Sequence, residues 1–136
     1  MTPVIQSSAT FPNTTPNVLY ELFMDSAKHS AATGAPAKIG RKVGEKWSAF
    51  EGMILGKTLV LVPNRVIVQS WRSSAWKAED PDSILVVQFE KSGGGATVVL
   101  AHVGVPKYDH KGVTQGWVKY YWKPWKEYLK TAKLKS

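Results

Sequence analysis

The last thirty residues constrain this chain most. Placed on a helix at about 100° per residue, Trp117, Tyr121, Pro124, Trp125, Tyr128 and Ala132 fall within an arc of about 100°. Lys119, Lys123, Lys126 and Lys130 gather within about 60° on the opposite side. A helix with one aromatic face and one lysine face has to bury its rings, and a face that bulky asks for a broad, curved sheet to close over it. Trp117 and Trp125 are accordingly read as core. The helix is expected to begin between Asp109 and Gln115. Pro124 has no N–H for the Tyr120 carbonyl, so a bend is expected there. Trp122 falls off the centre of the buried arc, beside the lysines, and reads as a surface ring.

The chain upstream supplies the sheet. Val4 to Phe11 reads as a first strand, broken by Pro12 and Asn13. Thr14 or Thr15 offers an N-cap and Pro16 a first helical residue, and Val18, Leu19, Leu22 and Phe23 recur at helical spacing. Ser26 reads as the cap of a second short helix that ends at Gly34. Strands then follow at Lys46 to Phe50, Met53 to Val62, Arg65 to Arg72, Ile84 to Lys91 and Thr97 to Val105. Glu51-Gly52, Pro63-Asn64, the loop at Asp80 to Asp82 and Gly93-Gly94-Gly95 separate them. Consecutive hairpins make an antiparallel meander, and several of its strands are apolar on both faces. The expected architecture is α+β, a curved antiparallel sheet wrapped around a long C-terminal helix, with two short helices after the first strand. All 136 residues fit one domain, with a core over about 4–131 and a short basic tail at 132–136.

The net charge of +8 is unevenly spread. From Lys107 onward eight lysines face only Asp109 and Glu127. A basic end of this kind suits an acidic protein partner, a nucleic acid or a membrane surface, while the plainer reading is a solvated face that keeps a small protein soluble. Nucleic acid fits poorly: there are only three arginines, and stacking platforms need rings and cations on one face, whereas here they point apart. No run approaches the roughly 18–20 apolar residues of a membrane span, and the first ten residues do not resemble a secretory signal. The absence of cysteine removes disulfides and thiolate sites and agrees with a cytoplasmic protein.

No strong catalytic or cofactor signature is present: no phosphate loop, dinucleotide fingerprint, paired-histidine metal motif or nucleophile elbow. A non-enzymatic protein without cofactor or metal is expected. Asp25, Glu51, Glu79, Asp80 and Asp82 read as solvated turn acids, and His29 and His110 as exposed. His102 alternates with Leu100 and Gly104 along a strand and is expected to face the interior. Six tryptophans and five tyrosines supply rings for a cavity wall, for which Trp47, Trp71, Phe89, His102, Trp117 and Tyr121 are the candidates. Lys119, Lys123, Lys126 and Lys130, with Trp122 and loop-borne Trp76, are the candidates for a partner surface.

Several segments together resemble the C-terminal domain of the activator of heat-shock protein 90 ATPase, within the START-like, birch-pollen-allergen-like superfamily. They are Thr15-Pro16-Asn17-Val18-Leu19-Tyr20-Glu21-Leu22-Phe23, Gly44-Glu45-Lys46-Trp47, Gly52 and Gly56 bracketing a strand, and Leu61-Val62-Pro63. Ile67-Val68-Gln69-Ser70-Trp71-Arg72, Gly104-Val105-Pro106 and Gln115-Gly116-Trp117-Val118-Lys119-Tyr120-Tyr121-Trp122 complete the set. The resemblance implies a helix-grip fold and a co-chaperone-like, stress-response module that contacts a heat-shock protein 90 chaperone. Eukaryotic members pair this domain with a separate N-terminal one, to which nothing in these residues corresponds, so a stand-alone, single-domain member is implied. The wider superfamily implies an alternative, a small apolar ligand held between helix and sheet.

Overall fold

The computed structural model describes residues 2–135, and side chains as far as Ala132; beyond Ala132, the side chains of the expected basic tail lie outside the described residues. The chain opens with β1 (Ile5–Pro12), α1 (Pro16–Met24) and α2 (Ser26–Thr33). It continues with β2 (Lys38–Ile39), β3 (Lys46–Ala49), β4 (Ile54–Val62), β5 (Val66–Ser73), β6 (Ser83–Ser92) and β7 (Gly95–Val103). The strands form one antiparallel sheet in the order β1-β7-β6-β5-β4-β3-β2. A long helix, α3, runs over residues 107–135 and completes an α+β fold in which the curved sheet grips the helix.

Local chemistry explains most boundaries. Thr15 caps α1 by accepting from the Val18 N–H, with Pro16 in the first turn. α2 is capped by Asp25, not by Ser26: the Asp25 carboxylate accepts the Lys28 N–H, while the Ser26 hydroxyl accepts the Ile39 N–H and fastens β2. Gly34 ends α2 in the left-handed region, as expected. At the β6–β7 hairpin Gly93 supplies a positive φ, whereas Gly95 already belongs to β7. A Cβ there would meet the Phe11 carbonyl oxygen at 2.1 Å, so β1 can only close on a glycine. The two-residue β2 carries no periodic signal and was not expected. α3 starts at Lys107, earlier than expected, with Pro106 at its N-cap and no side-chain cap.

The expected bend in α3 takes the form of a π turn. Residues Lys107–Gly116 are α-helical, Trp117–Trp122 widen to π geometry, and Lys123–Lys135 return to α. The Trp117 N–H bonds the Val113 carbonyl four residues back, whereas the Lys123 N–H reaches Val118, five back. Pro124 follows at once, where its missing donor and its ring exclude a regular α turn. The core lies between α3 and the inner sheet face, with α1 over β6 and β7.

Candidate functional site

The inward residues of β5 place Ile67, Gln69 and Trp71 under the helix. Trp71 forms one wall of a half-open cleft of about 370 Å³ between the sheet and the first half of α3. Trp117, Tyr120 and Tyr121 line the helix side, and Phe50, Met53 and Ile54 the β3–β4 side. Phe50 adopts a positive φ, a conformation unfavourable for a residue with a Cβ, and its ring meets those of Tyr120 and Tyr121 edge-on at 5.9 and 5.7 Å. Gly112 and Gly116 keep the helix side of the cleft shallow. Asp109 reaches the same wall, where it accepts the indole N–H of Trp76 at 2.7 Å.

Behind the cleft lies a closed polar relay. Trp117 Nε1–H donates to His102 Nδ1 at 3.2 Å, and an indole nitrogen can only donate, so the neutral ring carries its proton on Nε2. That proton is given to Ser83 Oγ at 2.8 Å, and Ser83 donates to the Trp71 carbonyl at 2.7 Å. Burial, with a smaller contribution from His110, pushes the His102 pKa down to about 3. A second relay joins α2 to the helix. His29 Nδ1–H donates to the Phe23 carbonyl at 2.9 Å, and His29 Nε2 accepts the Tyr121 hydroxyl at 3.0 Å. Burial lowers the His29 pKa and raises that of Tyr121. His29 was expected to be exposed and is instead fully buried, because Tyr121 reaches across to α2.

Of the six cavity candidates, Trp71, Trp117 and Tyr121 come together at the cleft. Trp47, Phe89 and His102 are buried elsewhere. The Trp47 indole donates to the Ser70 carbonyl across Gly56, where no Cβ would fit. Phe89 packs edge-on against Tyr20 beneath α1, and His102 sits behind Trp71 and Trp117. Sequence reasoning missed Phe50 and Tyr120; the turn pair Glu51-Gly52 marked the place, but not which ring it would deliver.

Two surface candidates are corrected. Trp122 is 3% exposed: the π turn brings it one turn above Trp117, on which it stacks at 5.9 Å, and its N–H donates to Ser7 Oγ at 2.8 Å. Trp76 is 6% exposed because Arg72 draws its loop inward by donating to the carbonyls of Lys77 and Asp80. Ala132, placed on the buried arc, is exposed, although Trp125 two turns before it on the same face is buried.

The four lysines are exposed. Lys123, Lys126 and Lys130 line a second groove, of about 770 Å³, between the end of α3 and the loop joining β1 to α1. Phe11, Pro12, Val18 and Leu129 give it an apolar lining. Lys119 lies apart, its Nζ 5.3 Å from the centre of the Tyr120 ring. Among the described residues no three His, Asp or Glu side chains gather as a metal site, and no helix is long and apolar enough to cross a membrane.

A curved antiparallel sheet closed over one long helix, with a ring-lined cleft between them, defines a helix-grip domain. The family model described as "Activator of Hsp90 ATPase homolog 1-like protein" matches residues 13–130. The human "Activator of 90 kDa heat shock protein ATPase homolog 1" is 30% identical over 108 residues, 79% of this chain and 32% of that protein. An uncharacterised Schizosaccharomyces pombe protein is 32% identical over the same shares. The crystal structure of an HSP90 activator from Plasmodium falciparum superposes with a TM-score of 0.83 at 24% identity, covering 93% of this chain and 95% of that one. The chain belongs to the family of activator of Hsp90 ATPase homologue 1-like proteins. It spans about a third of the length of the curated relatives it matches.

Proposed function

We propose that this domain acts by binding, as a co-chaperone-like module for a heat-shock protein 90 chaperone, with the lysine-lined groove as its docking side. The observation that carries this reading is the convergence of Lys123, Lys126 and Lys130 on an apolar groove in a member of the activator family. A cationic rim above an apolar floor suits an acidic partner surface that also offers an apolar anchor. Its charges contribute more to the encounter rate and to specificity than to affinity. The test is the ATPase rate of the source organism's own heat-shock protein 90 as the domain is titrated in, at low and high salt. A saturable rise that shrinks with salt supports the reading; a flat line at both salts removes it.

A second reading rests on the cleft. Its volume of about 370 Å³ lies in the range of small-molecule sites, roughly 300–1,000 Å³, and its walls are mostly rings and aliphatic groups. A small apolar ligand fits that chemistry. Titrating a neutral apolar fluorophore should give saturable quenching of Trp71 and Trp117, and Gly116→Leu should abolish it by filling the cleft. Equal binding by that variant would sink the cleft as the site.

A further inference from the structure

We propose that the sheet side of the cleft recognises an uncharged hydroxyl group, so that the ligand held between helix and sheet is a ring-bearing alcohol or phenol. The proposal rests on the second reading above, that the cleft takes a small molecule, and adds its polar chemistry. Among the described residues, four buried side-chain polar atoms have no hydrogen-bond partner, and three of them belong to Gln69 and Trp71. These are successive inward residues of β5, about 6.6 Å apart along the strand. Gln69, at 0% exposure, leaves both amide atoms unpaired, and Trp71 its indole N–H. Buried polar groups are paired in the great majority of cases, so a local group of three asks for a partner.

The neighbouring side chains are already committed. Across the sheet Gln69 faces Thr58 and Leu85. The Thr58 hydroxyl is directed at the Gly40 carbonyl, and Leu85 is apolar. Trp71 faces Ser83, whose hydroxyl is shared between the Trp71 carbonyl and His102. The Tyr121 hydroxyl donates to His29. The chemistry of the unpaired atoms then selects the ligand group. An indole N–H only donates, whereas an amide both donates and accepts. A hydroxyl can accept from the one and donate to the other, while a ketone serves donors only. A carboxylate is disfavoured by burial and by Asp109, the one charged side chain lining the cleft.

Both side chains are shielded. Trp71 lines the cleft but is only 5% exposed, and Gln69 lies one inward position beyond it along β5. A hydroxyl reaches them once the rings above part, and the segments that carry those rings are the irregular ones. Phe50 and Glu51 both hold a positive φ, of 52° and 57°. Trp117, Tyr120 and Tyr121 stand on the π turn. Left-handed backbone at a bulky residue and single π turns both concentrate at functional sites. The unpaired atoms, the strained turn and the widened helix thus border one cleft.

The experiment is an NMR titration of the isotope-labelled full chain with naphthol, methylnaphthalene and naphthoate, each substituted at the same ring position, followed on the indole N–H signals. Naphthol should bind about tenfold more tightly than methylnaphthalene, the effect of one or two neutral hydrogen bonds. It should also shift the Trp71 indole signal, which Trp71→Phe assigns by its loss, and naphthoate should bind weakest. Gln69→Met, which removes the amide and keeps most of the volume, should raise the thermal midpoint and bring naphthol and methylnaphthalene to equal affinity. A residue that serves only the fold would not set stability against affinity in this way. Trp71→Phe keeps a ring without the N–H and should likewise reduce the preference for naphthol. If the wild type binds methylnaphthalene as tightly as naphthol, or Gln69→Met keeps the preference, the cleft remains a ligand site and the hydroxyl site is overturned. Binding of none of the three removes the ligand reading itself, and this proposal with it.

Discussion

His102 shows how much one side chain can be decided by its neighbours. The Trp117 N–H occupies Nδ1, so a second ring proton would confront a donor in a fully buried wall. Its folded pKa of about 3 lies below the usual value of 6.5, so the unfolded chain takes up the proton first as pH falls. The contribution to stability is therefore complete above about pH 6.5 and declines below it by about 1.4 kcal/mol per pH unit, down to about pH 3. Chemical denaturation between pH 7 and 4 should show this decline, and His102→Gln should have a shallower one, with His29 supplying the remainder. Identical slopes would mean that His102 is not buried in neutral form. The inward setting of His102 was legible in the strand alternation. That of His29 was not, because α2 has only eight residues with two buried, and the group that shelters His29 is Tyr121, 92 residues away.

Among the elements, α3 departs most from what its sequence pattern implies. A regular helix advances about 100° per residue, and on that wheel Trp122 belongs with the lysines. The π turn closes five residues back, so Trp117 and Trp122 stack while Tyr121 and Trp125 stay inside. One widened turn thus converts a surface tryptophan into core and frees the end of the helix to aim Lys123, Lys126 and Lys130 at the β1–α1 loop. Trp122→Ala should lower stability by about 3–5 kcal/mol in urea unfolding, the range for deleting a buried large ring. A loss within about 0.5 kcal/mol would place Trp122 at the surface after all. Pro124 signalled an irregularity in the sequence, but a proline does not say whether the helix will kink or widen. That is settled by which rings the sheet can accommodate.

At the scale of the whole molecule the charge is polarised, with eight of the fifteen lysines at or beyond Lys107 and only Asp109 and Glu127 to balance them there. Reversing Lys123, Lys126 and Lys130 to glutamate should slow association with the chaperone and flatten its salt dependence, while the thermal midpoint changes little, because all three are exposed. Stopped-flow rates at two ionic strengths would show this, and unchanged rates would move the docking side elsewhere. The meander, the two short helices and the two-faced helix followed from alternation, turn chemistry and caps, which act between residues close in the chain. For that reason the order of the main elements, the inward setting of His102 and the basic character of one end were legible in the sequence. Tertiary structure alone decided that Trp71, Trp117 and Tyr121 share a cleft with Phe50, that Trp47 and Phe89 do not, and that Trp76 and Trp122 are core. Those outcomes depend on contacts between distant segments and on a single extra residue in one helical turn, and no local periodicity carries either.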